Sequence, residues 1–343
     1  MKVSAQALKK AGEILREGGL VGFPTETVYG LGGNALNGEA AKQIFAAKGR
    51  PGDNPLIVHV TDISEIAPLI DGDMPEAARQ LAEAYWPGPM TLIMKKSAKI
   101  PVEVSAGLDT VGIRIPANED ARAMIAAAGV PVAAPSGNRS GRPSPTLAAH
   151  MVEDMDGIIP LILDGGACQV GLESSVIDCT VFPPRVLRPG GVTPGMVEKV
   201  CGAVKVDGSV LRALREDEKP RSPGMKYRHY APEGSVTIVT GQAENVTRKI
   251  RALAEDMVAQ RKRVLVLAME DHLAAYEGLS VRSLGADADE MGARLFDLLR
   301  YADEVHADAV FSEAVAAEEI GLAVMNRLGR AAAFHQINAD EME

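Results

Sequence analysis

The stretch Glu216–Ser235, EDEKPRSPGMKYRHYAPEGS, constrains the fold of this chain more than any other feature. It places three prolines, two glycines and a dense run of charge between two long patterned regions. Each proline fixes φ and removes a backbone donor, so neither a helix nor a central strand can run through it. It reads as a linker that cuts the 343 residues in two, in keeping with a usual domain size of roughly 100–200 residues. The predicted organisation is a first domain over residues 1–205, a linker over 206–235, and a smaller second domain over 236–343.

The two sides carry different patterns. Before the linker, short apolar runs at 20–23, 56–60, 91–94, 111–115, 130–134, 161–163, 175–179 and 186–188 read as strands, with helices predicted at 4–17, 38–47, 75–85, 119–128 and 194–201. Several successive strands have no helix between them, so a mixed α/β sheet is expected rather than a simple parallel one. After the linker, strands at 236–239, 264–267 and 309–311 alternate regularly with helices near 242–260, 287–305 and 317–331. Met291, Leu295, Leu298 and Leu299 fall on one helical face. This half reads as an open-sheet α/β domain.

Composition removes several classes. Apolar residues at 46% and charged residues at 24% are ordinary for a packed globular chain. No apolar stretch approaches the roughly 18 residues of a spanning helix, and no secretory signal opens the chain. The cysteines, Cys168, Cys179 and Cys201, lack CxxC spacing, so reduced thiols and a cytoplasmic location are expected. The net charge is −10, but residues 236–343 hold 11 basic and 19 acidic residues, leaving a balance of only −2 for the remainder. That balance does not imply a broad basic face for nucleic acid, but it leaves room for a local basic pocket.

Five loops in the first domain could carry chemistry. PTETVYGLG (24–32) follows a short strand and puts hydroxyls, a carboxylate and glycines in one turn; alone, it is equally a structural turn. KGRPGDNPLIVH (48–59) brings Lys48, Arg50 and Asn54 before a strand holding His59, where cations could neutralise phosphate. GLDTVGIRIP (107–116) sets Arg114 inside an apolar strand, which requires an anionic partner, either an internal carboxylate or a substrate's. APSGNRSGRPSPT (134–146) is rich in small residues and hydroxyls that let backbone N–H groups approach an anion. ESSVID (173–178) and LRPGG (187–191) add Ser174 and Arg188. The chain has no GxxxxGK[ST], no GxSxG and no HExxH or Cys/His cluster. Positioned cations and hydroxyls suit phosphoryl or nucleotidyl transfer.

In this order over about residues 10–200, these motifs resemble the YrdC/Sua5 family in its longer, two-domain form, and SPGMKYRHYAP in the linker resembles the Sua5 type. The resemblance implies a twisted N-terminal sheet around a concave positive cavity and a Rossmann-like C-terminal domain. It implies a nucleotidyltransferase that makes L-threonylcarbamoyladenylate and pyrophosphate from L-threonine, bicarbonate or CO2, and ATP, with Mg²⁺ carried by ATP and no organic cofactor. The product would pass to the tRNA threonylcarbamoyl transferase machinery for t6A modification, with direct tRNA contact as a weaker expectation.

By the same resemblance, Thr27, His59, Arg114, Ser136 and Ser174 would surround L-threonine, Arg114 holding its carboxylate. Arg50, Asn54, Thr110, Ala134, Ser136, Ser144, Arg188 and Tyr230 would meet ATP, and Lys48 with Arg50 would serve catalysis at the phosphates or carbamate. The linker is expected to close over the site as a lid. Gly137 stands where many relatives have Ala. Two other readings remain open: a non-catalytic RNA-binding module, and a carbamoyl-adenylate-forming relative.

Overall fold

A computed structural model describes residues 1–210, 212 and 230–341. It falls into two compact units, one built from residues 1–140 and 144–210, the other from 230–341 together with Gly141–Pro143. Of the expected linker and lid, residues 211 and 213–229 lie outside the described residues.

The first unit contains a ten-stranded mixed sheet. Its strands are β1 (Val21–Phe23), β2 (Gly30–Asn34), β3 (Ile57–His59), β4 (Met90–Lys95), β5 (Thr110–Arg114), β6 (Val132–Ala134), β7 (Leu161–Ile162), β8 (Ser175–Asp178), β9 (Arg185–Arg188) and β10 (Lys205–Val206). They lie in the order β10-β9-β8-β4-β5-β3-β6-β2-β1-β7. Most central strands are buried on both faces, which explains their continuous apolar runs. β2 was not expected, because GLGGN has low strand propensity. Its glycines are required by packing: a Cβ on Gly30 or Gly32 would lie 2.9 or 3.0 Å from the Phe23 ring. The opening helix Ala5–Arg16 is capped by Ser4 and packs on Glu119–Ala128, itself capped by Asn118. Gly12 lets the two helices touch, since a Cβ there would meet the Ala127 carbonyl carbon at 2.5 Å.

Register places the chemistry. β3 and β5 are parallel neighbours, and His59 stands beside Arg114 at their C-terminal ends. β4 runs antiparallel to β5 and parallel to β8, which brings the start of β8 to the turn that opens β4.

The second unit is a parallel sheet of β11 (Ser235–Thr240), β12 (Val264–Met269), β13 (Val281–Gly285), β14 (Ala309–Glu313) and β15 (Gln336–Asn338), in the order β13-β12-β14-β11-β15. Helices Ala243–Ala259, Ala288–Glu304 and Glu319–Ala331 match the expected ones closely. β13 and β15 escape a pattern search because they lie at the sheet edges and are partly exposed. Among the described residues no helix is long and apolar enough to cross a membrane.

Candidate active site

The loop after β1 folds on its own hydroxyls. Thr25 Oγ1 accepts from the Thr27 and Val28 amides at 3.1 and 3.2 Å and donates to Val28 O at 2.7 Å. This local turn is the alternative to regular structure that threonine offers the backbone. It points Thr27 at Arg114, whose Nη1 donates to Thr27 Oγ1 at 2.9 Å. Arg114 Nη2 lies 2.7 Å from Glu26 Oε1, and both side chains are about 95% buried. The buried arginine therefore has an internal carboxylate partner. Of the two partners the sequence left open, an internal carboxylate is present, and a substrate carboxylate would join it.

The Glu26–Arg114 pair is close but not well aligned. Neither carboxylate oxygen of Glu26, nor Arg114 Nη2, has a hydrogen-bond partner in bonding geometry. Burial raises the Glu26 pKa, but Arg114 and the nearby Ala117 amide outweigh it and hold it below 4.5. His59 is buried beside them, with Nδ1 3.1 Å from Ile57 O and its ring edge-on to Phe23. Desolvation and the Arg114 charge push its pKa down to about 3, so the imidazole is neutral near pH 7.

Ser174 sits just before β8. Its Oγ shares a hydrogen bond of 2.8 Å with Thr91 Oγ1, and Arg188 donates to its carbonyl at 3.0 Å and its hydroxyl at 3.2 Å. This cluster and Arg114 back the same turn: Arg114 Nε donates to Gly88 O at 3.3 Å, and the Ser175 amide to Pro89 O at 2.9 Å. Thr27, His59, Arg114 and Ser174 are thus gathered around strand ends of one sheet. Arg188, expected beside the nucleotide, is built into the Ser174 cluster.

Lys48 ends the helix Gly38–Ala47 and is almost wholly buried. Its Nζ donates to Ser136 O at 2.5 Å and Asn138 O at 2.6 Å, and its carbonyl accepts from Ser140 N at 2.9 Å. The ammonium anchors the loop that carries Ser136, whose Oγ donates to Asn138 Oδ1 at 2.6 Å. Gly137 in this loop would bring a Cβ within 2.1 Å of Met151 Sδ, so an Ala here requires Met151 to move. Ser144 Oγ donates to Glu173 Oε1 at 2.5 Å. Asn54 is fully buried, and neither amide atom has a partner. Arg50 is buried in the same loop; Ala134 closes β6; Thr110 opens β5 and lines a small cleft with Ile57, Thr91 and Gly112. Tyr230 belongs to the second unit, at φ 64° with its ring 5.0 Å from that of Phe296.

Glu26, Thr91, Asn138 and Glu173 join the site without being among the residues expected from the sequence. The signal for Glu26 was available: an arginine inside an apolar strand demands an anion, and PTETVYG holds a carboxylate. Thr91 gave none, being a hydroxyl on a buried strand.

Residues 13–190 match the family model of Sua5, YciO and YrdC, described as "Telomere recombination", and residues 192–333 match the threonylcarbamoyl-AMP synthase C-terminal domain. The threonylcarbamoyl-AMP synthase of Pyrococcus abyssi is 43% identical over 336 residues, 98% of this chain and 97% of its own. That of Bacillus subtilis is 45% identical over 328 residues, covering 95% and 92%. The crystal structure of P. abyssi Sua5 complexed with L-threonine superposes with a TM-score of 0.93 at 43% identity, covering 98% of this chain and 97% of that one. With both regions matched in order and relatives aligned along nearly the whole length, the chain belongs to the two-domain Sua5 family of threonylcarbamoyl-AMP synthases.

Proposed function

We propose that this chain condenses L-threonine, bicarbonate or CO2, and ATP into threonylcarbamoyl-AMP and pyrophosphate. The observation that carries this reading is the buried group of Arg114, Glu26, Thr27 and His59, in a chain aligned end to end with synthases of that name. Arg114 takes the threonine carboxylate, as its unaligned Nη2 allows. Thr27 and Ser174 supply hydroxyls, and neutral His59 bounds the pocket without adding charge. Carbamate formed on the threonine nitrogen presents an oxygen to the α-phosphorus of ATP, and pyrophosphate leaves.

ATP lies along the loops at 48–55 and 134–146. Asn54 offers an unpartnered amide, Arg50 a guanidinium for phosphate, and Ser136 and Ser144 hydroxyls close to the nucleotide, with Thr110, Ala134 and Arg188 as further contacts. Lys48 acts here by fixing the Ser136–Asn138 backbone. Mg²⁺ enters on the ATP phosphates, which it binds through oxygen. Orientation and charge neutralisation supply the rate enhancement at phosphorus. The product is a labile mixed anhydride, consumed by a transferase that acts on tRNA. Incubation with MgATP, bicarbonate and L-threonine should yield threonylcarbamoyl-AMP by mass spectrometry with one pyrophosphate per adenylate. No product, under conditions in which the B. subtilis synthase makes it, overturns the reading.

A further inference from the structure

We propose that Glu26 is a catalytic residue of this site: it receives the α-ammonium of the amino-acid substrate beside Arg114 and takes the proton that must leave before the nitrogen can attack CO2. The inference rests on the reading of Arg114 as the carboxylate-binding group. Glu26 Oε1 stands 2.7 Å from Arg114 Nη2, yet both carboxylate oxygens and that nitrogen lack an aligned hydrogen-bond partner. Buried polar atoms are normally paired, and charges more so; a buried ion pair left misaligned is costly for the protein alone. A zwitterionic amino acid satisfies both members: its carboxylate completes Arg114 and its ammonium supplies the donors that Glu26 lacks. The Thr27 hydroxyl, held on Arg114 Nη1, keeps the guanidinium from turning away.

The chemistry requires such a group. An α-ammonium has no lone pair, so its N–H bond must break first. The N–H electron pair stays on nitrogen and the proton goes to a Glu26 oxygen. The freed pair then forms the C–N bond to CO2 while one C=O π pair moves onto oxygen. Loss of a second proton to solvent leaves the carbamate anion, so R–NH3⁺ and CO2 give R–NH–COO⁻ and two protons. Binding itself prepares Glu26 for this. Arg114 holds the carboxyl in its ionised form against burial; a substrate carboxylate on Arg114 offsets that field, and burial then makes Glu26 more basic. The other groups facing Glu26 do not titrate in the working range. His59 is pushed down to about 3 and the Cys168 thiol up to about 12, so both are neutral from pH 5 to 9.

The test is the pH dependence of kcat/KM for L-threonine in Glu26→Gln, which keeps shape and loses the charge. The variant must bind the amine already neutral, so its kcat/KM should rise about tenfold per pH unit from 7 toward the amine's own pKa, while the wild type stays much flatter. Its affinity for ATP should be unchanged. A Glu26→Gln profile parallel to wild type overturns the proposal. Should that variant not fold, the wild type decides by calorimetry: 3-hydroxybutyrate, which is threonine without its amine, should bind at least about tenfold more weakly than L-threonine, and equal affinity overturns the proposal. Wild-type protein that binds threonine but forms no adenylate would refute the synthase reading instead, and calorimetry would still report on Glu26.

Discussion

Each unit buries a glutamate near the C-terminal end of a strand, and the two are treated in opposite ways. Glu313 ends β14 and is 2% exposed. Its Oε2 accepts from the Met269 amide at 3.0 Å and from His272 Nδ1 at 2.7 Å, and its Oε1 from Tyr276 OH at 2.6 Å. This carboxylate ties the end of β12 and the 3₁₀ segment Glu270–Tyr276 to β14, and its desolvation cost is offset by three donors. Glu26 is buried almost as deeply, and although Arg114 and the Ala117 amide favour its charge, neither of its oxygens has a partner in full hydrogen-bonding geometry. The saturated carboxylate holds strands of the fold together, and the unsaturated one is the group we propose for the ligand.

The largest effect is expected at Arg114. Arg114→Ala removes a buried charge partner, so threonine affinity should fall by about 2–5 kcal/mol, roughly 30-fold or more, with ATP affinity retained. It also leaves Glu26 uncompensated, so the melting temperature should drop. Adding Glu26→Gln should restore much of the stability and none of the binding. Calorimetry with each substrate, beside thermal melts of the single and double variants, measures both halves. A double variant that recovers threonine binding would show that Arg114 serves only the fold.

Glu313→Ala should do the reverse. Three donors lose their acceptor at about 1–3 kcal/mol each when left buried and unpaired, so a denaturant melt should show a loss of several kcal/mol. At temperatures where the protein stays folded, threonine affinity should equal that of wild type. Lys48→Ala should fall between the two cases. Its charge-assisted bonds to Ser136 O and Asn138 O are worth about 1.5–3 kcal/mol. Their loss should loosen the 136–140 loop, raising KM for ATP more than for threonine and speeding tryptic cleavage at Arg139. Unchanged proteolysis with lost activity would move Lys48 from the loop to the phosphates.

The smallest effect sharpens the electrostatics. His59 has its pKa lowered from 6.5 to about 3, so between those values the unfolded chain binds more protons than the native one. Stability should therefore fall as pH drops from about 6.5 toward 3, with no contribution from His59 above 6.5. His59→Gln should flatten that slope in acid titrations monitored by circular dichroism. An unchanged slope would mean that the imidazole titrates freely in the native state.

How much of this was legible in the sequence follows from the same physics. The helices of the second unit were readable because a long amphipathic period survives any context. β2 was not, since glycines chosen for contact with Phe23 erase the strand signal. Arg114 announced itself as a cation in an apolar run, and the structure sets His59 beside it on the neighbouring strand and Thr27 against its guanidinium. Its partner Glu26 went unchosen because a carboxylate in a turn has many ordinary explanations. Lys48 was visible as a cation, but its attachment to the Ser136–Asn138 carbonyls joins residues some ninety positions apart, and only the fold brings them together. The same holds for Thr91 with Ser174.

The central claim, that the unsatisfied buried pair is the amino-acid site, is tested most directly by titrating L-threonine calorimetrically into wild type, Glu26→Gln and Glu313→Gln at pH 7. The account predicts at least about tenfold weaker binding for Glu26→Gln and wild-type binding for Glu313→Gln. Equal affinity in wild type and Glu26→Gln, or equal losses in both variants, would contradict it.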